Sequence, residues 1–181
     1  YLQLPARGNE RSRQLARELA EAAPSDQAFA RSILQRFRQQ PYYYTLRPPT
    51  MPEDPVDTLL FDARRGFCAH YASATTFLLR SAGIPARIVA GDQGGSAGAD
   101  SAYLIVRQYD AHAWVEAWIQ GQGWVRLDPT AAIAPDRIEN GLRDAVAEEG
   151  SFLEDNWTLP QRYGDVAVVQ WVSLQMDRLN Y

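Results

Sequence analysis

Between Gly66 and Pro85 the chain reads GFCAHYASATTFLLRSAGIP, and its only formal charge is Arg80. A helix that is small, apolar or hydroxyl-bearing on nearly every side is a buried one, so this stretch predicts the central helix of the domain. Its ends are marked. Gly66 suits the non-helical conformation of an N-cap, Gly83 stands where a glycine stops a helix, and Pro85 cannot continue it. Arg80 falls in the last turn, where a cation complements the helix dipole. The single cysteine, Cys68, lies in the first turn. Unpaired backbone N–H groups and the positive end of the dipole favour a thiolate there.

A lone cysteine is more often a small buried hydrophobe than a nucleophile. A catalytic reading therefore needs a base and an orienting group elsewhere in the chain.

Length and composition bound the search. With 181 residues, 46% hydrophobic and 22% charged, the chain is large enough for one domain with a proper core, and globular rather than disordered. A net charge of −4 offers no basic field for nucleic acid. One cysteine permits no internal disulfide, so cysteine usage does not identify the compartment. No apolar run reaches the roughly 18 residues of a membrane span, and the start lacks the pattern of a signal peptide. Opening at Tyr1 and ending at Tyr181, the chain reads as a piece of a longer protein, in which residues 1–181 form a single domain. All 18 basic residues are arginine. Codon bias in a GC-rich genome is sufficient to explain that.

Helical spacing of Leu15, Ala16, Leu19 and Ala20 predicts a helix over 9–23, ended by Pro24. A second, capped by Ser25, runs over 26–40 on Phe29, Ile33 and Phe37. Tyr42–Thr45 is β-prone, and Arg47–Pro55 is a proline-rich loop leading to Leu59–Phe61. Strands are expected at 86–90, 103–108, 111–119 and 123–128, with a Gly/Ser/Ala-rich loop, 91–101, between the first two. A helix follows at 135–149, and 165–179 reads as a packing helix. The domain core spans about 11–138, with a helical extension over 135–181.

The third and fourth strands carry the chemistry. Alternation places Ala113, Val115, Ala117 and Ile119 on one face, and His112, Trp114, Glu116 and Trp118 on the other. Gln120-Gly121-Gln122-Gly123 signals a hairpin. Centred on residue 120, that hairpin sets His112 directly opposite Asp128, within hydrogen-bond reach. Cys68, His112 and Asp128 then supply a thiol acyl-transfer site: a nucleophile, a proton carrier and an orienting carboxylate. The Cys68 N–H is a natural oxyanion donor. A zinc site from Cys68, His70, His112 and Asp128 is the rival. Residues two apart on a helix point about 200° apart, so Cys68 and His70 would struggle to reach one ion. His70 reads instead as a packed core histidine. No phosphate loop or EF-hand pattern is present, and neither nucleotide nor calcium is indicated.

Three stretches, RRGFCAHYASATTFLLRSAGIPARIVAG, YDAHAWVEAWI and GWVRLDPTAA, resemble the signature blocks of the transglutaminase-like superfamily. The resemblance implies an α+β, papain-like fold: N-terminal helices and a central cysteine helix on an antiparallel sheet. It carries the nucleophile onto Cys68, the base onto His112 and the orienting carboxylate onto Asp128. The segments YYYTLRPP and LLFDARRGFC are similar to a narrower group of bacterial inner-membrane proteins. In that group the domain lies in the periplasm between transmembrane segments outside this chain. Two positions depart from the pattern: Ala69, where an acidic residue often follows the cysteine, and Asp92, where an aromatic residue often follows the turn.

The implied activity is a transglutaminase: an acyl-enzyme on Cys68 from a protein glutamine, passed to a primary amine, with no cofactor. A cysteine protease or amidase, or an inactive scaffold, are the alternatives. Trp114 and Trp124, with Trp118, are expected to line the substrate channel and restrict water, unless they simply pack.

Overall fold

In the computed structural model, residues 1–97 and 102–139 are described below. The part of the helix expected at 135–149 that lies beyond residue 139, and the helix expected at 165–179, are outside them.

Two amphipathic helices open the chain. α1 (Glu10–Ala22) buries Leu15 and Ala16, and α2 (Asp26–Gln39) buries Phe29, Ala30, Ile33 and Phe37. Ser25 caps α2 as expected, accepting the Ala28 N–H at 3.2 Å. The cap of α1 comes from much further along the chain. Asp57 accepts the N–H groups of Ser12 at 2.7 Å and Arg11 at 3.0 Å. Asn9 reciprocates, its Oδ1 accepting the N–H groups of Val56 at 2.8 Å and Asp57 at 3.1 Å. The segment expected as a loop running into Leu59–Phe61 is instead helical at its end. A short α3 (Pro55–Asp57) passes into one wide π-helical turn, Thr58–Ala63, where the Arg64 N–H donates to Leu59 O at 3.1 Å.

β1 (Tyr43–Tyr44) pairs in parallel with β2 (Arg65–Gly66), Tyr44 opposite Gly66. Gly66 is therefore a strand residue, and Phe67 rather than Gly66 is the N-cap of the central helix, α4 (Cys68–Ser81). All residues of α4 from Cys68 to Arg80 are buried. Its far end closes as the sequence suggests. Gly83 takes φ 81°, and the N–H groups of Gly83 and Ile84 donate to Arg80 O and Leu79 O, each at 3.0 Å. This is a Schellman motif, which satisfies carbonyls the helix leaves open. Arg80 does more than face the dipole. Its guanidinium is buried and straps the chain together, donating to Ala86 O at 2.8 and 2.9 Å and to Gln3 O at 2.9 Å.

α4 lies against a three-stranded antiparallel sheet of β3 (Ala86–Asp92), β6 (Ala111–Ile119) and β7 (Gly123–Leu127), with β6 in the middle. Ala113, Val115, Ala117 and Ile119 are buried, as alternation requires. The β6–β7 register differs from the one expected. Ile119 pairs with Gly123 and Val115 with Leu127, so the hairpin is centred on residue 121. The shift is even, and parity survives: Asp128 stays on the His112 face, past the last ladder pair. The strand expected at 103–108 shrinks to β5 (Leu104–Ile105), paired with β4 (Ser96–Ala97) apart from the main sheet. Asp110 breaks it: its Oδ2 accepts the Arg107 N–H at 2.7 Å and folds Gln108–Asp110 into a 3₁₀ turn. Beyond Asp128 a helix begins at once, α5 (Pro129–Ile133), before α6 (Pro135–Glu139). Among the described residues no helix is long and apolar enough to cross a membrane.

Candidate active site

Cys68 opens α4 as its first residue, a free thiol at the edge of the buried core. The parallel β1–β2 pair delivers the chain to this point, with Phe67 as the single residue between strand and helix. His112 lies on β6 opposite Gly91 of β3, its side chain fully buried. Its Nε2 is 2.8 Å from Asp128 Oδ2. Asp128 serves two structures. Oδ2 binds the imidazole, while Oδ1 accepts the Thr130 N–H at 3.1 Å and caps α5, with Pro129 preset at the first helical position. Arg126 reinforces the carboxylate, Nη2 lying 3.3 Å from Oδ2.

With Nε2 engaged by Asp128, the other ring nitrogen, Nδ1, is the one left for the thiol. It is buried, and no hydrogen bond of ordinary geometry joins it to Sγ. The two groups are still near enough to act on each other. Burial alone would push the Cys68 thiol up. The hydrogen-bonding and charge interactions with His112, then the Ala113 N–H and the charge of Arg137, outweigh it and hold the thiol low. Burial alone would lower His112, but Asp128 and then Cys68 raise it. Burial would raise Asp128, and His112 and then Arg126 bring it below the usual carboxylate range. All three directions favour thiolate, imidazolium and carboxylate.

The aromatic residues divide. Trp114 stacks on His112, ring centroids 6.1 Å apart and planes 22° from parallel, and Arg126 lies over the indole with Cζ at 4.2 Å. A Cβ on Gly91 would lie 2.9 Å from the same ring, so the glycine makes room for it. Trp124 is elsewhere. It packs edge-on to Tyr1 and Trp118, under Arg87. Four residues of strand, roughly 13 Å, separate it from Asp128. The structure thus brings Trp114 to His112 and leaves Trp124 and Trp118 at the turn end of the hairpin. Glu116, on the triad's face, is engaged by Arg87 at 2.6 Å.

His70 belongs to the helix start. Its Nδ1 accepts the Phe67 N–H at 3.4 Å, and burial pushes its pKa down to about 4, so the ring is neutral at ordinary pH. Two neighbours of the thiol escaped sequence reasoning. Tyr44 is set beside the cysteine by its pairing with Gly66, its phenol facing the Cys68 N–H and raised by burial and then by the thiolate's charge. Arg137, from α6, is 1% exposed. The first had a weak signal in the YYYT segment. The second had none.

Residues 13–129 match the profile of the transglutaminase-like superfamily, and the chain belongs to it. It is 51% identical over 180 residues to a protein-glutamine gamma-glutamyltransferase of Pseudomonas aeruginosa, covering 99% of this chain and 27% of that protein. It is 35% identical over 137 residues to the uncharacterized protein YebA of Bacillus subtilis, covering 72% of this chain and 19% of that one. The chain thus spans about a quarter or less of these two relatives. Among solved structures it superposes on the periplasmic domain of TgpA from Pseudomonas aeruginosa with TM-score 0.77 and 56% identity, over 79% of this chain and 50% of that one. A provisionally named cysteine protease of Cytophaga hutchinsonii shares the fold at TM-score 0.53 and 21% identity, over 74% of this chain and 42% of that one. The fold is therefore transglutaminase-like and related to that of papain-like proteases.

Proposed function

We propose that this chain is the acyl-transfer domain of a bacterial transglutaminase, forming a thioester on Cys68 from a protein glutamine and passing it to a primary amine. One observation carries the reading: Asp128 engages His112 Nε2 at 2.8 Å, which leaves Nδ1 for the Cys68 thiol at the start of α4, and these neighbours favour a lowered thiol and a raised imidazole. That is the charge order a thiol nucleophile needs before substrate arrives.

The sulfur attacks the carbon of the glutamine γ-carboxamide, and the carbonyl oxygen takes the negative charge. The Cys68 N–H is a donor for it at the helix start. As the C–N bond breaks, ammonia leaves with the proton from His112 Nδ1. The amine then attacks the thioester, His112 recovers a proton from it, and the C–S bond breaks to restore thiolate and imidazolium. The products are one isopeptide bond and one ammonia. Asp128 fixes the ring and stabilises its charged form throughout. Trp114, stacked on His112, restricts water at the base and favours transfer over hydrolysis.

By likeness to the periplasmic domain of TgpA, we place this domain in the periplasm, as part of a longer inner-membrane protein whose other segments tether it. Its partners are proteins or peptides presenting glutamine and amine. The deciding experiment incubates the domain with a glutamine-rich protein and a fluorescent primary amine, following label and ammonia together. Incorporation that disappears in Cys68→Ala is expected. Ammonia or peptide cleavage without incorporation would make the domain a hydrolase.

A further inference from the structure

Arg137 carries a charge in a place where charge is costly. It is 1% exposed, and among the described residues no carboxylate is within ion-pair distance of it. Only Nη2 is satisfied, donating to Ala111 O at 3.0 Å and Tyr109 O at 3.3 Å. Nε and Nη1 are buried with no hydrogen bond of ordinary geometry. A guanidinium is never deprotonated under ordinary conditions, so the site must supply a compensating negative charge or bear the cost of burying it.

The groups around it narrow the choice. From β1, the Tyr44 phenol lies against the guanidinium and is held in its neutral form. Asp110, between the two accepting carbonyls, has Oδ2 turned to the Arg107 N–H at 2.7 Å. On β6, His112 is cationic when paired, and Asp128 is engaged by His112 and Arg126. From α4, Cys68 is within electrostatic reach of Arg137. Among these groups the sulfur is the one whose charge is made and lost during turnover, whereas Asp110 is tied to the Arg107 N–H. His112 gives up its proton to the leaving ammonia and recovers one from the attacking amine, whereas a guanidinium keeps its charge through both steps.

We propose that Arg137 is a positioning residue of the acyl-transfer site, its buried guanidinium holding the Cys68 sulfur as an anion while it clamps the backbone just before His112. The inference depends on Cys68 as the nucleophile, but not on which acyl acceptor is used. It gives α6 a role: held to the Tyr109 and Ala111 carbonyls through Arg137, that helix delivers a permanent charge that, unlike His112, does not change during turnover.

The test is the pH profile of Cys68 alkylation by iodoacetamide in the full chain, which reads the thiol itself and needs no glutamine or amine. Arg137→Gln should raise the midpoint by about one pH unit, a tenfold loss of thiolate at a given pH below it. Arg137→Lys should keep a profile near that of the unaltered protein. Superimposable profiles for folded Arg137→Gln and the unaltered chain would reduce Arg137 to a structural strap. Should the glutamine variant not fold, His112→Ala gives the answer with Arg137 in place. Its thiol should still titrate below about 8.5 despite burial, and a midpoint at or above that value would overturn the proposal. Absence of amine incorporation with a shifted alkylation profile would count against the transglutaminase reading alone.

Discussion

Asp128 meets His112 from just beyond the end of its own strand, Oδ2 to Nε2 at 2.8 Å, while its other oxygen caps α5 through Thr130. One carboxylate therefore orients the imidazole and starts a helix. Asp128→Ala should lower turnover by something on the order of 10²–10⁴-fold, and should also cost about 1 kcal/mol of stability as a lost cap. Asp128→Asn should keep most of both, because an amide oxygen accepts from the Thr130 N–H and from an imidazolium already carrying both protons. Amine-incorporation rates beside denaturant melts separate the two effects. Equal turnover in the two folded variants would remove Asp128 from the triad.

The same pair sets a pH window for stability. His112 is raised in the folded state, so its contribution is fully present below its unfolded value of about 6.5 and is lost as pH rises through the folded one. Asp128 is lowered, so its contribution is present above about 3.9 and is lost as pH falls through its folded value. The melting-temperature difference between the unaltered protein and His112→Ala should therefore be largest between about pH 4 and 6.5. A difference independent of pH would mean that the ring only fills space.

Gly91→Ala should disturb the site without touching the triad. The new methyl would stand 2.9 Å from the Trp114 ring, which lies against His112. Overpacking of this kind costs about 1–3 kcal/mol. Thermal melts should show the loss, and hydrolysis should rise relative to transfer as the indole tilts away. Gly91→Ala with Trp114→Leu should recover the stability, since the clash is with the ring. No recovery would place the strain elsewhere.

With 18 arginines and no lysine, these 181 residues offer no lysine side chain as an amine acceptor. Incubated alone, the active domain should remain monomeric on denaturing gels, and adding a lysine-rich protein should produce ladders that require Cys68. Ladders from the domain by itself, in a chain without added lysine, would show an acceptor other than lysine.

The parts read correctly from sequence are those whose cause is local. The periodicity of Phe29, Ile33 and Phe37 set α2, and the capping hydroxyl three residues before Ala28 marked its start. Parity placed His112 and Asp128 on one face even though the register itself was two residues off, because an even slip preserves the side of a strand. What was missed depends on distant partners. Nothing near Asn9 announces that Asp57 will accept from the first turn of α1. Nothing in PDRIE distinguishes Arg137 from the many arginines that face water. Asp110 ends its strand with a side-chain bond that the β-prone run of Tyr103–Val106 conceals. The tryptophans looked equivalent along the hairpin, and only their distance from Asp128 separates Trp114 from Trp124.

The reciprocal caps of Asn9 and Asp57 bear on where a smaller working unit could be cut. The span shared with the superfamily profile begins at residue 13 and ends at 129. Trimmed to those limits, the domain would lose Asn9 and the N–H groups that Asp57 holds. It would also lose the Gln3 carbonyl that receives Arg80, and the Tyr1 carbonyl that accepts the Ala86 N–H at 3.0 Å. At the other end it would lose Thr130, against which Asp128 is braced, and all of α6. The segments outside the recognisable core are the mortar between the cysteine helix and its sheet, and an excised fragment should be drawn around hydrogen bonds rather than around likeness of sequence.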